Sequence, residues 1–150
     1  MNIGTILSPF GRLGLTEVDG AITQLLWAAE DAGQSTPILK EGLAQLDAYF
    51  KGDLKKFDLP LAPDVGPFGQ SVLDQMIAIP YGHTKTYGEI AKALNSAAQP
   101  VGTACRANPI PIIIPCHRVL AQCGLGGFSG AGGVETKVKL LRLEGAGLLI

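Results

Sequence analysis

The chain has 150 residues, 47% of them hydrophobic and 17% charged, with a formal net charge of −1. This is an ordinary globular composition, far from disorder, and the length suits one compact domain or two small lobes sharing a core. It excludes a strongly basic field, so any hold on nucleic acid must come from local charge or from backbone amides and hydroxyls.

Three cysteines, Cys105, Cys116 and Cys123, form no paired metal spacing, and their odd number argues against a disulfide framework. A reducing cytoplasm is expected. The first 63 residues contain neither cysteine nor histidine, so no metal is expected there. No apolar stretch approaches the ~20 residues that cross a bilayer, and Met1-Asn-Ile-Gly4 does not read as a secretory leader. The pattern contains no internal repeat.

Residues 5–30 alternate apolar runs with turn residues, and Asp19-Gly20 between such runs predicts a hairpin within two or three antiparallel strands. A helix follows, with Ser35 or Thr36 as cap, Pro37 in its first turn and Gly52 as its stop. Leu39, Leu43, Leu46 and Phe50 give it an apolar stripe. The proline-rich stretch 59–66 is the expected lobe boundary. Beyond it, a helix near Phe68–Ile79 packs Val72, Leu73, Met76 and Ile79, and Tyr81-Gly82 ends it. Thr86-x-x-Glu89 forms a capping box for a short helix running through Leu94. After an Asn95-Ser96 turn, a second short helix starts near Pro100 and runs to Ala107, the layout of a helix-turn-helix. The last helix, about Val134 to Glu144, buries Val138 and Leu141 and stops at Gly145.

Between these helices lies Asn108-Pro-Ile-Pro-Ile-Ile-Ile-Pro-Cys-His-Arg-Val119. Proline fixes φ and biases its predecessor toward extended geometry, so Pro109, Pro111 and Pro115 rule out a helix interior. The expectation is a stiff, buried, extended arm that presents the Cys116 thiol at a set place. A thiol beside an imidazole is the raw material of an activated nucleophile, although a free cysteine also serves as a small buried hydrophobe. Neighbouring side chains on an extended chain point to opposite faces, so Cys116 and His117 need a tight bend or an intervening water to communicate. His83 reads as a loop residue.

The Asn108–Val119 stretch resembles the O6-alkylguanine-DNA alkyltransferases, the methylated-DNA–protein-cysteine methyltransferases. So do Ile79-Pro-Tyr-Gly82, Tyr87-Gly-Glu-Ile-Ala91, Val101-Gly102 and Leu140-Leu-Arg-Leu-Glu-Gly145. Weaker similarity at Ser8-Pro-Phe-Gly11, Gln45–Phe50 and Phe57-Asp-Leu-Pro60 extends it over nearly the whole chain. The resemblance implies an α+β fold. A small ribonuclease-H-like α/β lobe with an antiparallel sheet would occupy residues 1–63. A mainly helical lobe with a helix-turn-helix, residues 64–150, would bind DNA and accept the alkyl group.

The implied reaction is direct, stoichiometric transfer of an alkyl group from O6 of guanine, or O4 of thymine, in double-stranded DNA to Cys116. The nucleotide is swung out of the stack, no cofactor or metal takes part, and the protein is a monomer. By the same resemblance His117 relays the thiol proton through water and Glu144 orients its ring. Tyr87 reaches the guanine N3 edge, the Ser129 amide donates to O6, and the carbonyls of Cys116 and Val119 accept from the exocyclic amine. Pro111 and Phe128 are substrate-binding positions, and Asn108 ties the recognition helix to the active-site arm. The second helix enters the minor groove with Gly102 and Thr103 close to the backbone, and Arg106 and Arg118 are DNA contacts.

Three departures from the family pattern stand out. Gln99 occupies the place where many relatives carry an arginine that replaces the extruded base, with Pro100 directly after it. Phe128 stands where a tyrosine is common. The Phe128–Gly133 lid is about two residues longer than usual. The alternative reading is an alkyltransferase-like module that binds lesions without transfer; such proteins lack the cysteine, so Cys116 speaks against it. A Cys-His acyl-transfer enzyme is a further rival, disfavoured because its nucleophile and base usually lie far apart in sequence.

Overall fold

The computed structural model describes residues 1–31, 33 and 36–146, which fall in two compact units, Met1–Asp64 and Val65–Ile150. Together they make a mixed α+β fold. In the first unit, β1 (Asn2–Ser8), β2 (Gly11–Val18) and β3 (Ala21–Leu26) form an antiparallel sheet in chain order. Asp19 and Gly20, both with positive φ (51° and 83°), close the β2–β3 hairpin between the paired Val18 and Ala21. Helix α1 (Pro37–Phe50) packs on this sheet.

Thr36 is the cap of α1, its hydroxyl accepting from the Leu39 amide at 3.3 Å; Ser35, the other candidate, lies outside the described residues. Leu39, Leu46 and Tyr49 are buried, while Leu43 and Phe50 are only half-buried, so the apolar stripe is rotated toward Tyr49. Gly42 permits the close approach: a Cβ there would stand 2.8 Å from Leu15 Cδ1.

In the second unit, α2 (Pro67–Ile77) ends two residues earlier than expected because Ile79 precedes Pro80, and a residue before proline avoids helical geometry. The two-residue strands β4 (Lys85–Thr86) and β5 (Val119–Leu120) pair in parallel. Helix α3 (Tyr87–Ala93) opens with the complete Thr86–Glu89 capping box. It closes at Asn95, whose φ of 53° lets the Ser96 amide reach back to the Ala91 carbonyl at 2.8 Å.

Helix α4 (Ala98–Arg106) starts two residues before the expected Pro100. Proline is tolerated in a first turn, where its missing N–H would lack an intrahelical acceptor anyway. Helix α5 (Val134–Leu143) stops at Gly145, whose φ of 65° lets the Ala146 amide bond the Leu141 carbonyl at 3.1 Å. Val138 is half-buried there, whereas Thr136, Lys137, Leu140 and Leu141 are buried.

Candidate active site

The arm that carries Cys116 is buried from Ile110 to Val119, as expected, but it is coiled rather than extended. Asn108 organises it: its Oδ1 accepts from the Ile110 amide at 3.0 Å, and its Nδ2 donates to the Ile114 carbonyl at 2.9 Å. Ile112 takes a φ of 72°, rare for a β-branched residue, and the Ile114 amide bonds back to the Ile110 carbonyl at 2.9 Å. The prolines prevent a helix, and these bonds then fold the remainder into a tight loop. It leads into a 3-10 turn over Cys116–Arg118, with Cys116 and His117 on successive residues of a bend.

Cys116 lines a small cleft, partly open to solvent, together with Tyr87 from the start of α3, Arg106 from α4 and the lid residues Phe128 and Ser129. Two further lining residues, Cys105 and Gly127, carry no motif signal. The Ser129 hydroxyl donates to the Arg106 carbonyl at 3.1 Å and so pins the lid to α4. Gly126, with a φ of 71°, admits the Tyr87 ring: a Cβ there would lie 3.0 Å from Tyr87 Cε2.

Behind Cys116 sits a buried polar cluster. His117 Nε2 is 2.6 Å from Glu144 Oε2, and both side chains are fully buried. Arg118 grips the same carboxylate with Nε on Oε1 at 2.8 Å and NH2 on Oε2 at 3.0 Å, and its NH1 donates to the Ile79 carbonyl at 2.7 Å. Glu144 arrives here because Gly145 ends α5, leaving the glutamate at the last helical cap and turned inward. Tyr81 braces that cap by donating its hydroxyl to the Leu143 carbonyl at 3.2 Å. Burial lowers the His117 pKa against the raising influence of Glu144, so the ring is neutral near pH 7. With Nε2–H given to the carboxylate, Nδ1 keeps its lone pair, and it is the buried side-chain nitrogen without a partner among the described residues.

Several expectations need correction. Arg118 is only 6% exposed and spends its guanidinium on Glu144 and Ile79, so it does not present itself to DNA. Pro111 and Val119 are buried in the arm rather than on the cleft wall, and the Val119 carbonyl already accepts from Lys137 Nζ at 2.6 Å. Asn108 stands between α4 and the arm: its backbone N–H donates to the Cys105 carbonyl of α4 at 3.3 Å, and its side chain bonds Ile110 and Ile114. Gly102 is buried, with Arg106 NH1 lying 3.5 Å from where its Cβ would be. Gln99, Thr103 and Arg106 do share the exposed face of α4: Thr103 Oγ1 donates to the Gln99 carbonyl at 3.1 Å, and Arg106 NH2 to Thr103 Oγ1 at 3.3 Å.

Burial raises the Cys116 thiol pKa, while the Asn108 amide and the charge of Lys137 pull it down. Cys105, whose S–H faces Met76 Sδ at 3.6 Å, is pushed up to about 12, chiefly by burial. Lys137 carries no motif signal either. Its position on the inner face of α5, four residues before Leu141, is the only hint.

Residues 67–146 match the profile described as 6-O-methylguanine DNA methyltransferase, DNA binding domain, and residues 1–63 match the ribonuclease-like domain of the same name. A methylated-DNA–protein-cysteine methyltransferase of Methanosarcina acetivorans is 47% identical over 116 residues, covering 75% of this chain and 73% of the relative. The Sulfolobus acidocaldarius protein of that name is 42% identical over 147 residues, covering 97% and 94%. The crystal structure of Mycobacterium tuberculosis OGT in complex with DNA superposes with a TM-score of 0.86 at 38% identity, covering 97% of this chain and 94% of that one. The chain belongs to the 6-O-methylguanine DNA methyltransferase family.

Proposed function

We propose that the protein repairs double-stranded DNA by moving an alkyl group from guanine O6 onto Cys116, once per molecule. The observation that carries this reading is the acceptor thiol at a cleft wall, backed by a buried His117–Glu144–Arg118 cluster whose remaining imidazole lone pair has no partner among the described residues.

The target nucleotide leaves the stack, since a thiol cannot reach a base inside a duplex. A water bridging Cys116 and His117 Nδ1 carries the thiol proton to the imidazole, which Glu144 orients and whose cationic form it stabilises. The thiolate attacks the alkyl carbon in line: the S–C bond forms, the C–O6 bond breaks, and the electron pair passes into the guanine ring. Tyr87 gives its phenol proton to N3, and the purine leaves neutral. The Ser129 amide steadies O6. The product is a thioether, which ends the protein's use as an acceptor.

The exposed face of α4 lies in the minor groove, with Thr103 and Arg106 on phosphate and Gln99 filling the gap left by the base. All proposed catalytic groups come from one unit, so a monomer suffices, and three free cysteines suit the cytoplasm. Among the described residues no helix is long and apolar enough to cross a membrane.

The test is to incubate the protein with a duplex carrying one O6-methylguanine and to weigh it intact. A gain of one methyl on Cys116, absent in Cys116→Ser, is expected. Tight binding without a mass change would favour the lesion-binding reading.

A further inference from the structure

Tyr87, Cys105, Arg106 and Cys116 reach the cleft from α3, α4 and the 3-10 turn, whereas Gly127, Phe128 and Ser129 reach it from a segment that is neither helix nor strand. The cleft is small and Cys116 is only 7% exposed, so a purine enters only if this lid wall yields. Three side chains hold the wall. Lys137 Nζ donates to the Gly127 carbonyl at 3.1 Å, the Ser129 hydroxyl donates to the Arg106 carbonyl at 3.1 Å, and the Thr136 hydroxyl donates to the Ala131 carbonyl. The third bond falls in the stretch where the lid runs about two residues longer than the family pattern. There the Gly133 amide also closes a turn onto the Gly130 carbonyl at 3.0 Å. Thr136 is buried in the first turn of α5, and Gly132 lets the extra residues lie against it: φ is 83°, and a Cβ there would stand 2.3 Å from Thr136 Oγ1. The longer lid is thus folded down onto α5 by one hydroxyl.

We infer that Thr136 is a specificity-determining positioning residue: its clasp on Ala131 holds the lid close to Cys116 and favours methyl over bulky alkyl groups. The inference rests on the repair reading and names the substrate range of that site. In the in-line attack the alkyl carbon lies between Cys116 Sγ and O6, and O6 faces the Ser129 amide. Carbons beyond the first must therefore lie between the thiol and the lid. A methyl group has none and fits under the closed lid. A benzyl group needs the lid displaced, which breaks the Thr136–Ala131 bond. Thr136 itself touches neither the base nor the thiol; it acts through the place of the lid.

The test compares transfer from duplexes carrying O6-methylguanine and O6-benzylguanine. Thr136→Val keeps the shape and removes the hydroxyl, and the exposed Ala131 carbonyl can turn to water. It is expected to raise the benzyl-to-methyl rate ratio by about threefold to tenfold, the factor carried by one neutral hydrogen bond. Thr136→Ser, which keeps the hydroxyl, is expected to restore the wild-type ratio. Gly132→Ala attacks the same contact from the exposed side and is expected to shift the ratio in the same direction, so the test stands if the valine variant does not fold. A ratio unchanged in both variants, or a serine variant that behaves like valine, overturns the inference. A second arm needs no DNA: in a Cys123→Ser background, Cys116 labelling by a bulky maleimide is measured against labelling by iodoacetamide. Thr136→Val is expected to raise the maleimide rate relative to iodoacetamide while Cys105 stays unlabelled. An unchanged ratio, or equal labelling of Cys105, overturns the inference. If the wild type transfers neither alkyl group, the repair reading fails and this second arm alone decides whether Thr136 holds the lid over the thiol.

Discussion

Glu144 and His117 meet at 2.6 Å, while Arg118 occupies both oxygens of the same carboxylate, so one glutamate orients a base and neutralises a buried cation together. The two duties separate on mutation. His117→Ala removes the base and is expected to slow methyl transfer by about 10²–10⁴-fold. Affinity for the damaged duplex is expected to stay within a few-fold, because the ring is buried away from α4. Glu144→Gln is expected to slow transfer as well and, by leaving Arg118 uncompensated, to cost about 3–5 kcal/mol of stability. Single-turnover kinetics, duplex binding and urea unfolding on each variant check this; equal losses in rate and affinity would contradict the assigned roles.

Burial lowers the His117 pKa, which fixes the sign of a pH effect. Above about pH 6.5 the ring is neutral in both folded and unfolded chains and contributes no pH dependence. Below that value the unfolded chain binds a proton that the folded one refuses, so stability falls as pH drops toward the folded pKa. The urea midpoint of the wild type is therefore expected to fall between pH 7 and pH 5 by more than that of His117→Gln. Parallel losses would show that the ring is not held neutral.

Gln99 is exposed in the first turn of α4, directly before Pro100. Its amide can fill the space of an extruded base, but it brings no charge to hold the opened strand. Gln99→Arg is expected to accelerate transfer on duplex DNA several-fold while leaving single-stranded substrate nearly unchanged, because only the duplex must be opened. Transfer rates on the two substrates measure the difference directly.

Local signals in the sequence anticipated much of this structure. Asp19-Gly20, Thr36-Pro37, the Thr86–Glu89 box and Gly145 each mark a turn or cap through their own backbone preferences, and each sits where it acts. The buried pairing of Glu144 with His117 followed from motif resemblance, since nothing local to Leu143-Glu-Gly145 signals burial. Three features escaped. The arm coils because Asn108 bonds Ile110 and Ile114 and Ile112 adopts a left-handed φ, a tertiary arrangement no proline rule foretells. Arg118 looks like a DNA contact until Glu144, 26 residues away, claims it. Lys137 carries no local signal of burial, because its two carbonyl partners come from other segments.

The three cysteines are expected to react in order of access. Cys123 is exposed, whereas Cys116 and Cys105 are buried, and the Cys105 pKa of about 12 keeps it protonated. A bulky maleimide at pH 7 is expected to label Cys123 alone within minutes, with Cys116 following only for small electrophiles and Cys105 only after unfolding. Peptide mapping of the labelled protein reads the order; early labelling of Cys105 would mean that the cleft opens far wider than its resting shape.

Arg106 carries the one guanidinium on the exposed Gln99–Thr103–Arg106 face of α4. Removing one phosphate-neutralising cation from a B-DNA interface lowers the slope of log affinity against log salt by about 0.9. Arg106→Ala is expected to weaken duplex binding to a similar degree with damaged and undamaged DNA and to reduce that slope by about one, since a phosphate contact carries no base information. Binding isotherms at several salt concentrations, for both duplexes and both proteins, decide the point; an unchanged slope would remove Arg106 from the DNA interface and leave it as the residue that anchors Ser129 of the lid through its carbonyl.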